Sequence, residues 1–348
     1  MRIAFFGSSL VSSYWNGAAT YYRGLVRALH ARGHQITFYE PDAYERQSHR
    51  DLDDPPWATV VVYDPDEWAA TLEQARGADV VVKASGVGVR DAELAEGALE
   101  LGAGVTVFWD VDAAATLAAA DDDFLALVPE YDLVLTYGGG EPICRRYREL
   151  GARDCLPVYN ALDPDEHHPV PQSEELESDL LLLANRLPDR EARVDEFFFA
   201  AARRLPQRDF VLGGAGWDDK PLPPNVRPLG HVGTADHNVL NCSALAVLNV
   251  TRDDMAANGW SPPTRVFEAA GAGACLITDA WEGIEDFLEP GREVLVARDG
   301  AEVAELLAPL TRDEAHAIGA AARRRLLDGH TYARRAELVE RTLERVHA

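Results

Sequence analysis

The chain is short of positive charge. Against 58 Asp and Glu it sets 33 Lys and Arg, a net charge of −25. That deficit argues against nucleic acid and an anionic membrane surface as main partners. The acidity reads as solubility or a salty habitat, and it leaves room for a local basic pocket. Cysteine is also scarce: Cys144, Cys155, Cys242 and Cys275 show no C-x-x-C spacing, so neither a zinc site nor a disulfide framework is expected. Cys242 and Cys275 sit in apolar contexts and read as buried thiols. No run is long and apolar enough to span a bilayer, so no integral membrane contact is expected. The N-terminus enters a strand with no cleavable signal pattern, and a cytoplasmic location is the expectation. The dinucleotide fingerprint is missing, because Gly7 is followed by Ser8-Ser9-Leu10. The Gly138-Gly-Gly-Glu141 loop lacks the Lys-Ser/Thr of a P-loop. No repeat of solenoid period is present.

What is there is an ordinary globular composition, 47% hydrophobic and 26% charged over 348 residues, enough for two domains. Short apolar runs alternate with stretches of helical period. The first half predicts strands at Ile3–Gly7, Gln35–Tyr39, Val60–Tyr63, Val80–Lys83, Val105–Trp109, Leu133–Tyr137 and Val158–Asn160. A Pro-broken acidic stretch, Asp163–Ser178, reads as a linker. The second half predicts strands at Leu180–Ala184, Asp209–Leu212, Val226–Leu229, Ala244–Val250, Cys275–Thr278 and Glu293–Val296. Helices are predicted near 191–204, 235–241, 262–271 and 283–288, with three more closing the chain. Such alternation implies α/β structure with parallel sheets covered on both faces.

The most informative stretch is Asn249 to Asp286. An apolar strand leads into a polar loop. Ser261-Pro262-Pro263 then supplies an N-cap and a proline for the first helical position. A second short strand ends in Asp279-Ala-Trp-Glu-Gly283. Two strand ends and a helix N-terminus thus converge, a place where parallel sheets bind ligands and helices receive anions.

From Ser261 to Phe287 the string S-P-P-T-R-x-F-E-A-A-x-A-G-A-x-x-I-T-D-x-W-E-G-x-E-x-F resembles the C-terminal domain of CgeB-like spore-coat glycosyltransferases. More widely it is similar to the donor half of family 4-type nucleotide-sugar glycosyltransferases. The resemblance implies the GT-B architecture, with two Rossmann-like domains whose parallel sheets face across a cleft. Residues 1–165 would form the acceptor domain and 166–330 the donor domain. Residues 331–348 would be a helix packing back on the first domain.

The same resemblance implies roles for single residues. Arg186 matches a strand-end arginine that holds the donor diphosphate, and rigid guanidinium donors suit that task. Arg190 is the choice for a second cation, with Arg193 competing. The competing reading of this segment is a solvated helix face on which Glu191 and Asp195 pair with the arginines. Glu268 matches a helix glutamate that contacts donor sugar or ribose. Eight positions earlier the relatives carry a second glutamate; here Trp260 stands, which leaves the sugar contact and retention of configuration open. The donor set is completed by Asn185, His231, Val232, Ser261, Thr264, Arg265, Trp281, Glu282 and Gly283. On the acceptor side Ser8, Ser9, Asn16 and Gly17 follow the first strand. If the reaction inverts it needs a general base, and Asp110 and Asp112 are the candidates, although capping the next helix is the commoner use of Asp there. Lys83 either offsets phosphate charge or merely snorkels. Asp110-x-Asp112 has the spelling of a metal-binding D-x-D, but it lies in the acceptor half, so no metal is expected.

The expectation is therefore a metal-independent, retaining glycosyltransferase. It uses a UDP- or dTDP-linked sugar as substrate, no further cofactor, and a small-molecule or glycan acceptor. A homodimer is compatible with it. A nucleotide-sugar 2-epimerase and a non-catalytic nucleotide-sugar-binding protein are the alternatives.

Overall fold

The apolar runs become parallel strands. In the computed structural model, which describes residues 1–14 and 16–347, the chain divides into two units. One comprises Met1–Asn160 with Tyr332–Ala348, the other Ala161–Thr331. Ala348, the last residue of the expected C-terminal segment, lies outside the described residues, as does Trp15 in the loop after the first strand.

Unit 1 contains β1 (Arg2–Phe6), β2 (Gln35–Pro41), β3 (Thr59–Tyr63), β4 (Val80–Ala84), β5 (Val105–Asp110), β6 (Leu133–Thr136) and β7 (Cys155–Pro157). Their order is β3-β2-β1-β4-β5-β6-β7, so the winding reverses between β1 and β4. Every residue of β4 and β5 is buried, as a strand covered by helices on both faces requires. The last strand forms at Cys155–Pro157, not at the expected 158–160; Val158 N–H still reaches Thr136 O at 2.7 Å.

Helix Tyr332–His347 belongs to unit 1. Tyr332 lies against Gly24 of helix Ala18–Ala31, where an added Cβ would fall 2.2 Å from its ring. Its hydroxyl donates to Asn160 Oδ1 at 2.6 Å. Glu340 pairs with Arg32 and, at 3.1 Å, with His34 Nε2.

Unit 2 contains β8 (Ser178–Leu183), β9 (Phe210–Gly213), β10 (Val226–Gly230), β11 (Ala244–Asn249), β12 (Leu276–Asp279) and β13 (Leu295–Ala297), ordered β10-β9-β8-β11-β12-β13. The winding reverses between β8 and β11, and ligands in open α/β sheets bind outside the carboxyl ends at such a switch. Residues 191–204 are helical, with a π turn at Asp195–Phe199. That turn carries three consecutive buried phenylalanines into the core.

Three local expectations need correction. The helix expected from Pro262 starts at Thr264, with Pro263 at its N-cap. A residue before proline is pushed out of the helical region, so Pro263 keeps Pro262 extended and delays the start. Ser261 therefore does not cap; its Oγ donates to Gly259 O at 2.9 Å. The polar loop after β11 holds an unexpected helix, Asp253–Asn258, ended by Gly259 at φ +66°. The helix expected over 283–288 is only a 3₁₀ turn, Ile284–Asp286.

Candidate functional site

Most of the predicted donor residues follow three strands in sequence: Asn185, Arg186 and Arg190 come after β8, Ser261, Thr264, Arg265 and Glu268 after β11, and Trp281, Glu282 and Gly283 after β12. β8 ends at Leu183, and the chain turns at Asn185, whose Oδ1 accepts from Ala215 N at 3.0 Å. Arg186 follows, and here the charge pairing is already complete. Its Nη1 donates to Asp219 Oδ1 at 2.7 Å and its Nη2 to Glu191 Oε1 at 2.8 Å. Lys220 adds 2.7 Å contacts to Glu191 and Asp195. Hydrogen bonds from Arg186 and Lys220 hold the Glu191 carboxyl down at about 2. These are the ion pairs that the helix-face reading of this segment expects, with carboxylates on both arms of the Arg186 fork.

Arg190 differs. Its Nη2 donates to the Asn185 carbonyl at 2.8 Å, its buried Nε has no hydrogen-bond partner, and among the described residues no carboxylate pairs with it. The adjacent Asp189 is taken by Arg252 at 2.5 Å. Burial pushes the Arg190 pKa down, helped by the charges of Arg252 and Arg265. A guanidinium stays protonated in proteins. A half-buried, unneutralised guanidinium therefore marks a place for an anion. Arg193 does not share this role. Its Nη2 donates to the fully buried Asp279 at 2.6 Å. The other oxygen of Asp279 accepts from Thr251 N and Oγ1 at 3.0 and 2.8 Å. Beside it, a cavity of about 490 Å³ is lined by Arg193, Ala280 and Arg298.

Glu268 lies in helix Thr264–Gly271 and is 8% exposed. Arg265, one turn earlier, places Nη1 2.8 Å from Oε2. His237 Nδ1 stands 3.7 Å from Oε2 and His167 Nε2 3.9 Å from Oε1. At those distances the imidazoles act through charge and dipole, not through hydrogen bonds. Burial alone would raise the Glu268 pKa, but Arg265, His237 and His167 outweigh it and hold the carboxyl well below the usual range. Burial lowers the His167 pKa, against the pull of Glu268. Glu268 Oε2, Arg265 Nε and the Nδ1 atoms of both histidines complete no aligned hydrogen bond. Buried polar atoms are normally paired, so this cluster leaves hydrogen-bonding capacity open.

The two histidines were not legible as neighbours of Glu268. His167 falls in the stretch read as a linker, and His237 in a plain surface helix. Neither carries a local signal.

The remaining donor-side residues scatter more. His231 is exposed just past β10, and Val232 packs toward Gly213, where an added Cβ would approach it to 2.7 Å. Thr264 opens the helix. Trp281 is 5% exposed with its ring 6.0 Å from Phe287, so it packs and does not present a stacking face. Glu282 and Gly283 clasp Trp260: Trp260 N donates to Glu282 O at 2.6 Å, and an added Cβ at Gly283 would meet the Trp260 ring at 2.3 Å. Trp260 Nε1 donates to Asp286 Oδ2 at 3.0 Å, and its backbone sits at φ +39°. A bulky residue there is strained, a condition that clusters at functional sites.

In unit 1 the geometry narrows the acceptor-side set. Ser8, Ser9 and Asn16 are buried and bind one another and their loop. Ser8 Oγ donates to Asn16 Oδ1 at 2.9 Å, and Ser9 Oγ to the buried Glu40 at 3.0 Å. They shape the loop; only Gly17 is exposed. Asp110 is fully buried with both oxygens engaged. Oδ1 accepts from Ser85 at 3.0 Å and Thr116 at 2.6 Å, and Oδ2 from Tyr147 at 2.5 Å. It is a framework residue, not an accessible base, and burial keeps its pKa raised against those bonds. Asp112 is exposed at the end of β5. It occupies the N-cap position of helix Ala113–Ala119 without a side-chain cap bond. Lys83 is buried and spent on Asp91, at 2.7 Å. Among the described residues no cluster of three or more His, Cys, Asp or Glu could hold a metal ion, and no helix is long and apolar enough to cross a membrane.

Residues 190–341 match the family model described as glycosyl transferase-like. A comparison with curated protein sequences finds no match. Among solved structures, sucrose-phosphate synthase from Thermosynechococcus elongatus aligns over 99% of this chain and 99% of its own, with TM-score 0.72 and 14% identity. HepE from Anabaena, solved with UDP and glucose, aligns over 99% and 100%, with TM-score 0.71 and 13% identity. AviGT4, a glycosyltransferase involved in avilamycin A biosynthesis, aligns over 100% and 98%, with TM-score 0.64 and 18% identity. The chain therefore has the fold of GT-B glycosyltransferases, two Rossmann-like units with parallel sheets, and its residues 190–341 are similar to the glycosyl transferase-like family.

Proposed function

We propose that the protein transfers a sugar from a UDP-sugar to a small-molecule or glycan acceptor in the cytoplasm, with retention of configuration and without a metal ion. The string from Ser261 to Phe287 favours the CgeB-like branch of these enzymes. The observation that carries the reading is the unneutralised Arg190, with Arg265 and the charged, buried Glu268, at the carboxyl ends of parallel strands.

The chemistry follows from those groups. Negative charge grows on the departing diphosphate as the glycosidic bond breaks, so fixed cations at that point lower the barrier. Arg190 and Arg265 are the cations, and they replace the pair Arg186 and Arg190. Arg186 instead ties Glu191 to Asp219 and fixes the loop that ends at Lys220. Glu268, kept ionised, accepts hydrogen bonds from donor hydroxyls through its unfilled Oε2. The neighbours include HepE complexes containing UDP and UDP-glucose, the same donor chemistry. In unit 1 Asp112, the exposed one of the two candidate aspartates, is the acceptor-side candidate.

The 2-epimerase reading calls for several carboxylates with a histidine around the sugar. The cluster here has one carboxylate, Glu268, and transfer is favoured. The test is incubation of the protein with UDP-, dTDP- and GDP-sugars and candidate acceptors, with and without EDTA. Diphosphate release with a UDP-sugar that depends on acceptor and survives EDTA supports the reading. Conversion of the donor to an epimer without an acceptor, or an unchanged donor throughout, contradicts it.

A further inference from the structure

A second cavity opens at the other end of the unit 2 sheet. It measures about 550 Å³ and lies where β11 and β12 begin, next to Ala244 and Cys275. That volume is within the range of small-molecule sites. One wall is helix Arg312–Gly329, which contributes Arg312, His316, Arg323 and Arg324. No Asp or Glu lines the cavity, although the chain carries a net charge of −25. Among the described residues neither His316 nor Arg324 has a hydrogen-bond or ion-pair partner. Arg323 spends only its Nε, on Gly271 O at 3.1 Å. Arg312 has a single 3.3 Å contact to Glu177.

The lining holds a second feature. Asn241 is fully buried and lines the cavity, and neither its Oδ1 nor its Nδ2 has a partner. An amide left so is costly unless something fills it. A ligand hydroxyl can donate to Oδ1 and accept from Nδ2 at once. Guanidinium forks on helix Arg312–Gly329 match phosphate oxygens.

We propose that this cavity is a second small-molecule site, separate from the Arg190–Glu268 constellation, that binds a phosphorylated polyol. The phosphate rests against Arg323, Arg324 and His316, and a hydroxyl fills the Asn241 amide. The two sites share one element. Helix Thr264–Gly271 carries Arg265 and Glu268, and its last residue, Gly271, gives its carbonyl to Arg323.

Calorimetric titration of the full chain tests this, with glucose 6-phosphate, inorganic phosphate and glucose as probes, in saturating UDP. Glucose 6-phosphate is expected to bind in UDP's presence, more tightly than inorganic phosphate, and glucose not to bind. The exposed-site variants Arg324→Glu and His316→Glu should each weaken it about tenfold or more. Asn241→Leu, checked for folding by its melting curve, should erase the preference over inorganic phosphate. No binding of glucose 6-phosphate at millimolar concentration, equal affinity for inorganic phosphate, displacement by UDP, or indifference to both exposed-site variants would each overturn the proposal. Arg190→Ala serves as control: it should leave this binding intact, so failure of the donor-site reading is distinguishable from failure here.

Discussion

Arg265 and Glu268 stand one helical turn apart, with Nη1 2.8 Å from Oε2, and that pair keeps a buried carboxylate charged. Removing the charge leaves a buried guanidinium uncompensated. Glu268→Gln should cost on the order of 3 kcal/mol of stability at pH 7, read by urea unfolding. The folded-state pKa is depressed, so this stabilisation is complete above the unfolded carboxyl value, roughly 4.3, and is lost as pH falls toward the folded value. The gap between wild type and variant should therefore shrink on acidification. A constant gap down to strongly acidic pH would contradict the charge argument.

His167 gives slope in a different window. Burial lowers its folded pKa, so the unfolded chain binds more protons once pH drops below about 6.5. Stability then falls with falling pH. His34, lowered by burial and by the N-terminal charge, adds a slope of the same sign. The melting temperature of His167→Asn should fall less steeply than wild type between neutral pH and about pH 5, and the double variant with His34→Asn less steeply still. Unchanged slopes would remove both groups from the account.

Asp110 and Asp112 separate framework from surface. Asp110→Ala strands the hydroxyls of Ser85, Thr116 and Tyr147, and should cost about 3 kcal/mol. Asp112→Ala should stay within about 0.5 kcal/mol of wild type, as exposed positions do, while lowering turnover. Thermal melts beside an activity assay distinguish the two. Comparable loss of stability in both would contradict the assignment.

Gly24 holds the C-terminal helix to unit 1. Gly24→Ala drives a methyl group into the Tyr332 ring, 2.2 Å away, and overpacking of this kind costs about 1–3 kcal/mol. Gly24→Ala combined with Tyr332→Leu should recover part of the loss. A neutral single variant would mean that the ring moves aside freely.

The sheets were legible because buried parallel strands are continuous apolar runs, as in Leu180–Leu183 and Val80–Val82. The helix that carries Glu268 was legible because it bears a local string. Two kinds of feature were not. Tandem proline hid the true helix start behind Ser261-Pro262, since the two rules for proline compete at that spot. Pairing in space was invisible: nothing near Arg186 in sequence reveals that Asp219, 33 positions on, closes its fork. His167 and His237 likewise reach Glu268 from 101 and 31 positions away, through topology alone.

The central claim is that Arg190, not Arg186, holds the donor diphosphate. Calorimetric titration of UDP into wild type, Arg190→Ala and Arg186→Ala tests it directly. Loss of a charge-assisted contact is worth about 1.5–3 kcal/mol, so Arg190→Ala should weaken UDP binding roughly tenfold to a hundredfold. Arg186→Ala should keep affinity within about threefold of wild type, the scale of a surface charge contact. Strong loss in Arg186→Ala with little change in Arg190→Ala would contradict the account.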